Sequence, residues 1–326
     1  MTTINDIAKL AGVAKSTVSR HLNGGSVSRK TAEKIDDIIR ETGYVPNSFA
    51  QSLKAKESRI IGVIVPRLDS FSANLILSEI DEVLRRQQYQ VVIMNANFDI
   101  RREAQALRTF QVNKMDGIIF LMSHTDQEIK RLLRHVKIPV VTIGQEFLAD
   151  NSIYYDELNA GRQLADYLYA MGHRVIDFLN VSTKDPAIGV KRRNALKDRF
   201  LGFGDTEWRE YTTGFDLMEG YQTTRDQVLL NRPRLIVGAT DYIAIGAMRA
   251  CLEAGYRVPE QIGFAGFGNT VLGRSVYPGL TTVDYPYQHA GYVAAEMLLA
   301  RIQGNEANAK QKLETKLVIR QSVSAL

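Results

Sequence analysis

The sequence is nearly devoid of cysteine, with Cys251 the only one among 326 residues. One cysteine excludes an internal disulfide and any zinc site built from several thiolates. No apolar run reaches the ~20 residues that span a bilayer, and the N-terminus lacks the basic-then-apolar pattern of a signal peptide. We therefore expect a cytoplasmic protein without a membrane partner, and a buried, unreactive thiol at Cys251.

Motifs of catalysis and cofactor binding are also missing. The five histidines form no H-x-x-x-H pair, and the sequence contains no G-x-S-x-G. Gly263, Gly266 and Gly268 are spaced G-x-x-G-x-G, which matches neither the dinucleotide-binding motif nor the P-loop. We expect a binding protein that is not an enzyme and that holds no cofactor and no metal.

Composition and charge favour a globular protein of two or three domains, with 45% hydrophobic and 24% charged residues. The formal net charge is +5, and residues 1–58 carry nine basic against six acidic side chains. Positive charge concentrated near the N-terminus suits a polyanionic partner.

Residues 3–23 predict two short helices separated by a tight turn. Four apolar residues recur at i, i+3, i+4 and i+7 and so share one helix face. They are Ile4, Ile7, Ala8 and Ala11. Thr3 fits an N-cap, and Gly12 tolerates the positive φ that a sharp break needs. The second helix, from about residue 14 to residue 22, has a polar face without carboxylates, which suits the DNA major groove.

This stretch resembles the DNA-binding domain of the lac repressor family, also called the galactose repressor family. Residues 28–31 look like the capped third helix of that family, residues 43–47 like the turn after it, and residues 47–55 like its hinge segment. One departure is Ala14, where many relatives start the recognition helix with a serine N-cap.

The resemblance implies how DNA is read. A homodimer places two recognition helices on a palindromic operator, with Lys15, Ser16 and Arg20 on base edges. Four more side chains contact phosphates or nearby base edges, namely Thr3, Thr17, Ser19 and Asn23. Paired hinge helices enter the minor groove, where Ala50 and Leu53 contact DNA and Leu53 wedges a base step.

From residue 59 onward, short β-branched apolar runs alternate with amphipathic helices, as in residues 60–66 and 73–87. This alternation is typical of a parallel sheet covered on both faces. The rhythm restarts after residue 156, which predicts two doubly wound lobes with a crevice at the carboxyl ends of their strands. The series resembles the core of the same family, itself similar to periplasmic sugar-binding proteins.

The predicted fold is an all-α helix-turn-helix DNA-binding headpiece joined to an α/β core of two doubly wound, periplasmic-binding-protein-like lobes. Residues 1–46 are expected to form the DNA-binding domain, 47–58 the hinge helix or linker, and 59–326 the effector-binding and dimerisation core. Within the core, lobe 1 covers about 59–155 and 286–312, and lobe 2 about 156–285 and 313–326.

Polar and aromatic residues at the predicted strand ends form the expected effector site. Arg192 resembles the effector arginine of the family, although Ala195 and Leu196 replace the usual Gly-Phe. Phe215 resembles the aromatic that packs on the ligand ring, and Asn269 stands where relatives often carry aspartate. The full expected set is Arg67, Leu68, Asp69, Ser70, Phe71, Gln145, Arg192, Phe215, Thr240, Asp241 and Asn269.

The sequence also predicts the kind of effector. Lys191, Arg192 and Arg193 are expected to open a helix over residues 191–203, where consecutive cations are unfavourable without an anion. With Arg67 opposite, two guanidinium groups could hold one phosphate. In the alternative, only Arg192 enters the site and its neighbours face solvent. The segments around Arg67 and Arg192 resemble those of sucrose and trehalose operon repressors, which favours a disaccharide 6-phosphate.

The function expected from these features is a repressor of a sugar-utilisation operon, whose sugar or sugar-phosphate effector shifts the lobes and changes the order of the hinge. The alternatives are a sugar-binding or sugar-modifying protein, and a global catabolite regulator of the same family. Because little sequence follows the last predicted strand, a leucine-heptad tail is not expected, and the homodimer should not pair into a tetramer.

Overall fold

The computed structural model describes residues 2–22, 24–44, 58–146, 151–305 and 310–326. The chain divides into two compact units, Met1–Ser58 and Arg59–Leu326. The predicted fold class is confirmed, with helices in the first unit and two α/β lobes in the second.

The described part of the N-terminal unit contains three helices, α1 (Ile4–Ala11), α2 (Lys15–Leu22) and α3 (Arg29–Thr42). Their shared core consists of Ile7, Ala8, Ala11, Val18 and Ile35, with Ile4 and Leu22 packed against it. The apolar face predicted for α1 is therefore the buried one. A buried cluster this small stabilises the unit only modestly, because a short chain removes little apolar surface from water.

Caps fix both ends of α1. The Thr3 hydroxyl accepts from the amide of Asp6, and the Asp6 carboxylate accepts from the amide of Thr3 at 2.9 Å. Gly12 has φ 66°, and its amide donates to the carbonyls of Ala8 and Lys9. The second helix begins one residue later than expected, at Lys15. Ala14 provides only its carbonyl, which accepts from the amide of Thr17 at 2.9 Å.

Lobe 1 of the core is built on a six-stranded parallel sheet in the order β2-β1-β3-β4-β5-β11. The strands are β1 (Ile60–Val65), β2 (Gln90–Asn95), β3 (Gly117–Leu121), β4 (Val140–Ile143), β5 (Ser152–Tyr155) and β11 (Lys310–Leu313). Its helices are α4 (Phe71–Arg86), α5 (Ile100–Val112), α6 (Gln127–His135) and α12 (Tyr287–Ile302). Every residue of β1 and β3 is buried, as expected for parallel strands covered on both faces.

Lobe 2 has a second six-stranded sheet in the order β7-β6-β8-β9-β10-β12, parallel except for the β10–β12 pair. The strands are β6 (Val175–Asn180), β7 (Glu207–Thr212), β8 (Leu235–Gly238), β9 (Gly263–Phe267), β10 (Thr281–Asp284) and β12 (Lys316–Val318). Its α-helices are α7 (Glu157–Ala170), α8 (Arg193–Leu201), α9 (Leu217–Thr223), α10 (Asp241–Glu253) and α11 (Val271–Ser275).

The chain crosses between the two sheets three times, after β5, after β10 and after β11. Because α12 follows β10 of lobe 2 but packs on α4 and the sheet of lobe 1, neither lobe is a continuous segment. The crossovers bring strand ends of both sheets to one crevice, as expected for open parallel sheets.

One helix start differs from the expectation in a way that affects the site. A π-helical segment, Pro186–Arg192, precedes α8, and Asp185 caps it by accepting from the amides of Ala187 and Ile188. The helical backbone therefore begins five residues before Lys191 rather than at it. The aspartate followed by proline is a typical start signal, since proline lacks the amide that would lose its partner there.

Candidate functional site

The second helix of the N-terminal unit presents the polar face that the sequence predicts. Val18 is fully buried against α1 and α3, so the opposite side of α2 points outward. On that side Lys15, Ser16 and Arg20 are exposed, and Thr17 and Ser19 are half-buried. No carboxylate interrupts this surface of α2.

Among the other residues expected to contact DNA, Thr3 belongs to the described part of the N-terminal unit. Thr3 is exposed, but its hydroxyl is engaged in the cap of α1 and donates to Asp6 at 2.7 Å. Asn23, Ala50 and Leu53 lie outside the described residues. Within the unit, His21 at the end of α2 contacts Asp36 of α3 at 2.6 Å, which fixes the position of the second helix against the third.

The crevice between the two sheets contains a cavity of about 180 Å³. Eight of the eleven residues expected to bind the effector line it, and they come from the loops and helix segments that follow strands of both lobes. They are Arg67, Asp69, Ser70, Phe71, Gln145, Arg192, Phe215 and Thr240. Ser70 also caps α4, and Thr240 caps α10, so two of these side chains have structural roles as well.

Three expected contacts do not line this cavity. Leu68 is half exposed at the surface. Asp241 is fully buried and accepts from the Thr270 amide at 2.7 Å and from the Thr282 hydroxyl at 2.5 Å. Asn269 donates to Asp284 at 2.9 Å. Leu68, Asp241 and Asn269 therefore do not line this cavity, because the two polar side chains hold neighbouring loops together, and their contact with the effector stays a prediction.

Arg192 reaches the cavity but is already bound to a carboxylate. Its Nε and Nη2 donate to the two oxygens of Glu157 at 2.8 Å each, and its Nη1 donates to the Ala239 carbonyl at 2.8 Å. Tyr285 donates its hydroxyl to Glu157 at 2.7 Å. Burial alone would lower the pKa of Arg192, but the charge and hydrogen bonds of Glu157, together with Tyr285 and Tyr287, raise it. The positive charge of Arg192 in the cavity wall is therefore neutralised by Glu157.

The prediction that Lys191, Arg192 and Arg193 open a helix is wrong, because the helical backbone begins at Pro186. Lys191, Arg192 and Arg193 lie in the middle of a helical segment, far from the positive end of its dipole. Lys191 donates to Glu146 at 2.8 Å, and Arg193 lies 3.6 Å from a Glu210 oxygen. Neither lines the cavity, which matches the alternative in which only Arg192 enters the site.

Two contacts cross the cavity from one lobe to the other. Gln145 of lobe 1 donates its amide to Asp185 of lobe 2 at 2.9 Å. The rings of Phe98 and Phe215 stack with centroids 5.1 Å apart. Burial raises the pKa of the Asp185 carboxyl. Together with the Lys191–Glu146 ion pair outside the cavity, these contacts hold the two lobes together beside the cavity.

The sequence interpretation missed several lining residues, namely Phe98, Ser123, Tyr155, Glu157, Asp185 and Tyr287. Ser123 and Asp185 follow β3 and β6, so the rule that located Gln145 after β4 could have located them too. Tyr155, Glu157 and Tyr287 lie beside the crossovers that follow β5 and β10, and no local sequence pattern marks a crossover.

Comparison with known proteins agrees with both units. Residues 3–47 match the family model for bacterial regulatory proteins of the lacI family, and residues 165–323 match a periplasmic binding protein-like domain. The chain is 35% identical to the sucrose operon repressor of Staphylococcus xylosus over 98% of both sequences. It is 31% identical to the HTH-type transcriptional regulator TreR of Escherichia coli K12, over 93% of this chain and 94% of that protein.

The fold is similar to that of the lac repressor dimer bound to operator and the anti-inducer ONPF. The TM-score is 0.86 at 27% identity, and the match covers 99% of both chains. Three observations indicate the same family, namely the similarity to the sucrose repressor along nearly the whole chain, the helix-turn-helix unit and the two-lobed core. The chain belongs to the lacI family of bacterial regulatory proteins.

Proposed function

We propose that this protein is a transcription repressor that binds a palindromic operator as a homodimer and is controlled by a sugar bound between its lobes. The observation that carries the proposal is the combination of a carboxylate-free α2 surface with a cavity lined from both lobes. Similarity along nearly the whole chain to a sucrose operon repressor supports the same function.

In the proposed complex, Lys15, Ser16 and Arg20 read base edges in the major groove, because α2 exposes them and buries its opposite side. Residues 1–46 act as the DNA-binding domain and residues 47–58 as the hinge, with residues 59–326 binding effector and partner subunit. The other positions expected to contact DNA, Thr3, Thr17, Ser19, Asn23, Ala50 and Leu53, belong to the same proposal.

A mobility-shift assay with the promoter region of the gene tests the DNA-binding function. Arg20→Ala should weaken operator binding by about 10- to 100-fold, since a good bidentate base contact is worth ~1–3 kcal/mol. Arg40→Ala is the matched control, because Arg40 lies in the last turn of α3 and pairs with Asp37. A shift that is identical for arbitrary DNA would contradict an operator-specific repressor and favour a protein that only binds sugar.

We propose a disaccharide 6-phosphate as the effector, with its phosphate on Arg67. Arg67 pairs with Asp69 at 2.6 Å, and Asp69 is 77% exposed. Because the Asp69 carboxylate is exposed to water, its pairing with the mostly buried Arg67 is screened, and an incoming phosphate can replace Asp69 at little cost. Arg192 is different, because its buried pair with Glu157 would be costly to break. The phosphate clamp is therefore reduced to Arg67.

Calorimetric titration with sucrose, trehalose and their 6-phosphates tests the effector. We expect a phosphorylated sugar to bind more tightly than its parent, and Arg67→Ala to remove that preference. Arg193→Ala is the matched control, because Arg193 pairs with Glu210 and does not line the cavity. Equal affinity for a sugar and its phosphate would refute the phosphate contact while leaving a sugar effector in place.

Control of many unrelated promoters by one protein would instead indicate a global catabolite regulator, and genome-wide mapping of bound sites separates the two. The homodimer is tested independently by light scattering. A stable tetramer would contradict the dimer, and a monomer at the concentration of the mobility-shift assay would contradict binding to a palindrome.

A further inference from the structure

A buried carboxylate lies directly behind the cavity wall. Glu103, in the first turn of α5, is completely buried. Its Oε1 accepts from the Ser123 hydroxyl at 3.0 Å and lies 3.3 Å from Nδ1 of His124. Its Oε2 has no hydrogen-bond partner among the described residues. Burying a carboxylate costs free energy unless its oxygens are paired, so Glu103 is an unfavourable residue at this position unless it serves the adjacent cavity.

Ser123 connects this carboxylate with the cavity. It follows β3, is 3% exposed and lines the cavity, whereas Glu103 and His124 do not. A serine hydroxyl has one hydrogen to donate and two lone pairs that accept. Because a carboxylate can only accept, the single hydrogen of Ser123 is committed to Glu103. Toward the cavity, Ser123 can therefore offer only a lone pair.

His124 supports this arrangement. Its Nδ1 lies 3.0 Å from the Ser123 oxygen. The Glu103 hydrogen bond raises the pKa of His124, with charges of Glu103 and Asp185 acting in the same direction and burial and Lys184 acting against it. Because Nδ1 also lies 3.3 Å from the Glu103 Oε1, which can only accept, Nδ1 carries a hydrogen, and the imidazole cannot accept from Ser123 or turn the hydroxyl away from Glu103.

We infer that Ser123 is a hydrogen-bond acceptor for one hydroxyl of the bound ligand, and that Glu103 and His124 are the positioning residues that fix it in that role. The inference rests on the proposed sugar effector and specifies its orientation. A group that donates, such as a sugar hydroxyl, fits at Ser123. A group that only accepts, such as a phosphate oxygen, does not. The phosphate of the effector therefore lies away from Ser123, on the side of Arg67.

The replacement Glu103→Gln tests the assignment with little change of shape. The glutamine amide can donate to Ser123, which frees the serine hydrogen for the ligand and reverses its preference. The first probe is whichever of sucrose, trehalose and their 6-phosphates the protein binds. The other probes are derivatives of that sugar in which one hydroxyl is replaced by fluorine. Fluorine cannot donate a hydrogen. Comparing two ligands on one variant cancels any loss of folded protein.

For the wild-type protein, one fluoro derivative should bind about 3- to 10-fold more weakly than the parent, the effect of one lost hydrogen bond. Both Glu103→Gln and Ser123→Ala should reduce that discrimination to about 1-fold, and adding Glu103→Gln to Ser123→Ala should change nothing further. Glu128→Gln is the matched control, because Glu128 pairs with Arg108 outside the cavity and should keep the wild-type discrimination.

A second measurement needs no ligand. The NMR titration of His124 should show a raised pKa in the wild-type protein and a fall toward the ordinary value in Glu103→Gln. An unchanged His124 pKa, or full discrimination retained by Glu103→Gln, would overturn the positioning role. If the wild-type protein binds one of the sugars but no fluoro derivative is weaker, only this inference fails. If none of the four sugars binds, the proposed effector fails, and this inference fails with it.

Discussion

Replacing Glu157 by glutamine should destabilise the core strongly, because it leaves Arg192 charged and buried without a counter-ion. Both Glu157 oxygens accept from Arg192 at 2.8 Å, and the guanidinium carbon lies 4.7 Å from the Tyr285 ring centroid. Since Arg192 is 3% exposed, water cannot solvate the charge that remains. A neutral glutamine accepts with one oxygen only, so at least one guanidinium contact is lost.

The expected loss is about 3–5 kcal/mol in the free energy of unfolding, the usual cost of removing one partner of a buried ion pair. At roughly 2–4 °C per kcal/mol for a large domain, Tm should fall by about 6–20 °C. Urea unfolding followed by circular dichroism measures the change, with an unchanged m value as evidence that both proteins unfold alike. Glu146→Gln is the matched control, because its pair with Lys191 is exposed and worth only about 0–1 kcal/mol.

A double replacement separates the charge effect from packing. Glu157→Leu combined with Arg192→Met removes both charges and should cost less than Glu157→Gln alone, because no uncompensated charge stays in the interior. The reasoning would be refuted by a Glu157→Gln protein as stable as the Glu146→Gln control. It would also be refuted if the double variant lost as much stability as the two single replacements together.

Three further predictions concern stability and accessibility. Ile35→Ala should lower the free energy of unfolding of the N-terminal unit by about 2–5 kcal/mol and abolish operator binding while sugar binding persists. Ile35→Val should lower it by only about 0.5–1.5 kcal/mol, and equal operator affinity of the two variants would contradict the small core. Burial lowers the pKa of His173, so the contribution of the neutral imidazole to stability is complete above its ordinary pKa of 6.5 and is lost as pH falls through the lowered pKa. In unfolding titrations between about pH 7 and 5, His173→Gln should therefore lose less stability than the wild-type protein. An unchanged pH profile would refute this prediction. Burial raises the pKa of the Cys251 thiol to about 12, so a thiol reagent should label Cys251 in urea but not in the native protein. Rapid labelling of the native protein would contradict this prediction and show that the core around Cys251 opens.

The buried strands and two edge strands, β2 and β12, could be predicted from the sequence, but the edge strands β7 and β11 could not. β1 and β3 are continuous apolar runs because helices cover both faces of the sheet at its centre. β7, with the sequence EWREYT, and β11, with KQKL, lie at sheet edges where only some side chains are buried. Charged residues at an edge discourage pairing with another chain, and they also remove the apolar pattern on which strand prediction depends.

The same limit applies to the ligand site. The strand-end rule located Arg67, Ser70 and Gln145, because parallel strands bring their carboxyl ends to one edge whatever the loop sequence is. The partner of Arg192 could not be found in this way. Glu157 stands 35 residues earlier and comes within 2.8 Å only because the chain crosses between the sheets immediately before it.

The charge balance of the cavity therefore depends on distant partners more than on the motif around Arg192. An isolated arginine in a crevice predicts an anionic ligand, but a bidentate carboxylate at 2.8 Å already satisfies that requirement. Of the guanidinium groups among the described lining residues, Arg67 alone has a solvent-exposed counter-ion, Asp69, which can move into water when an anion arrives. If the effector carries a phosphate, the selectivity for it should follow Arg67 and be insensitive to the cations at residues 191 and 193, which lie outside the cavity lining.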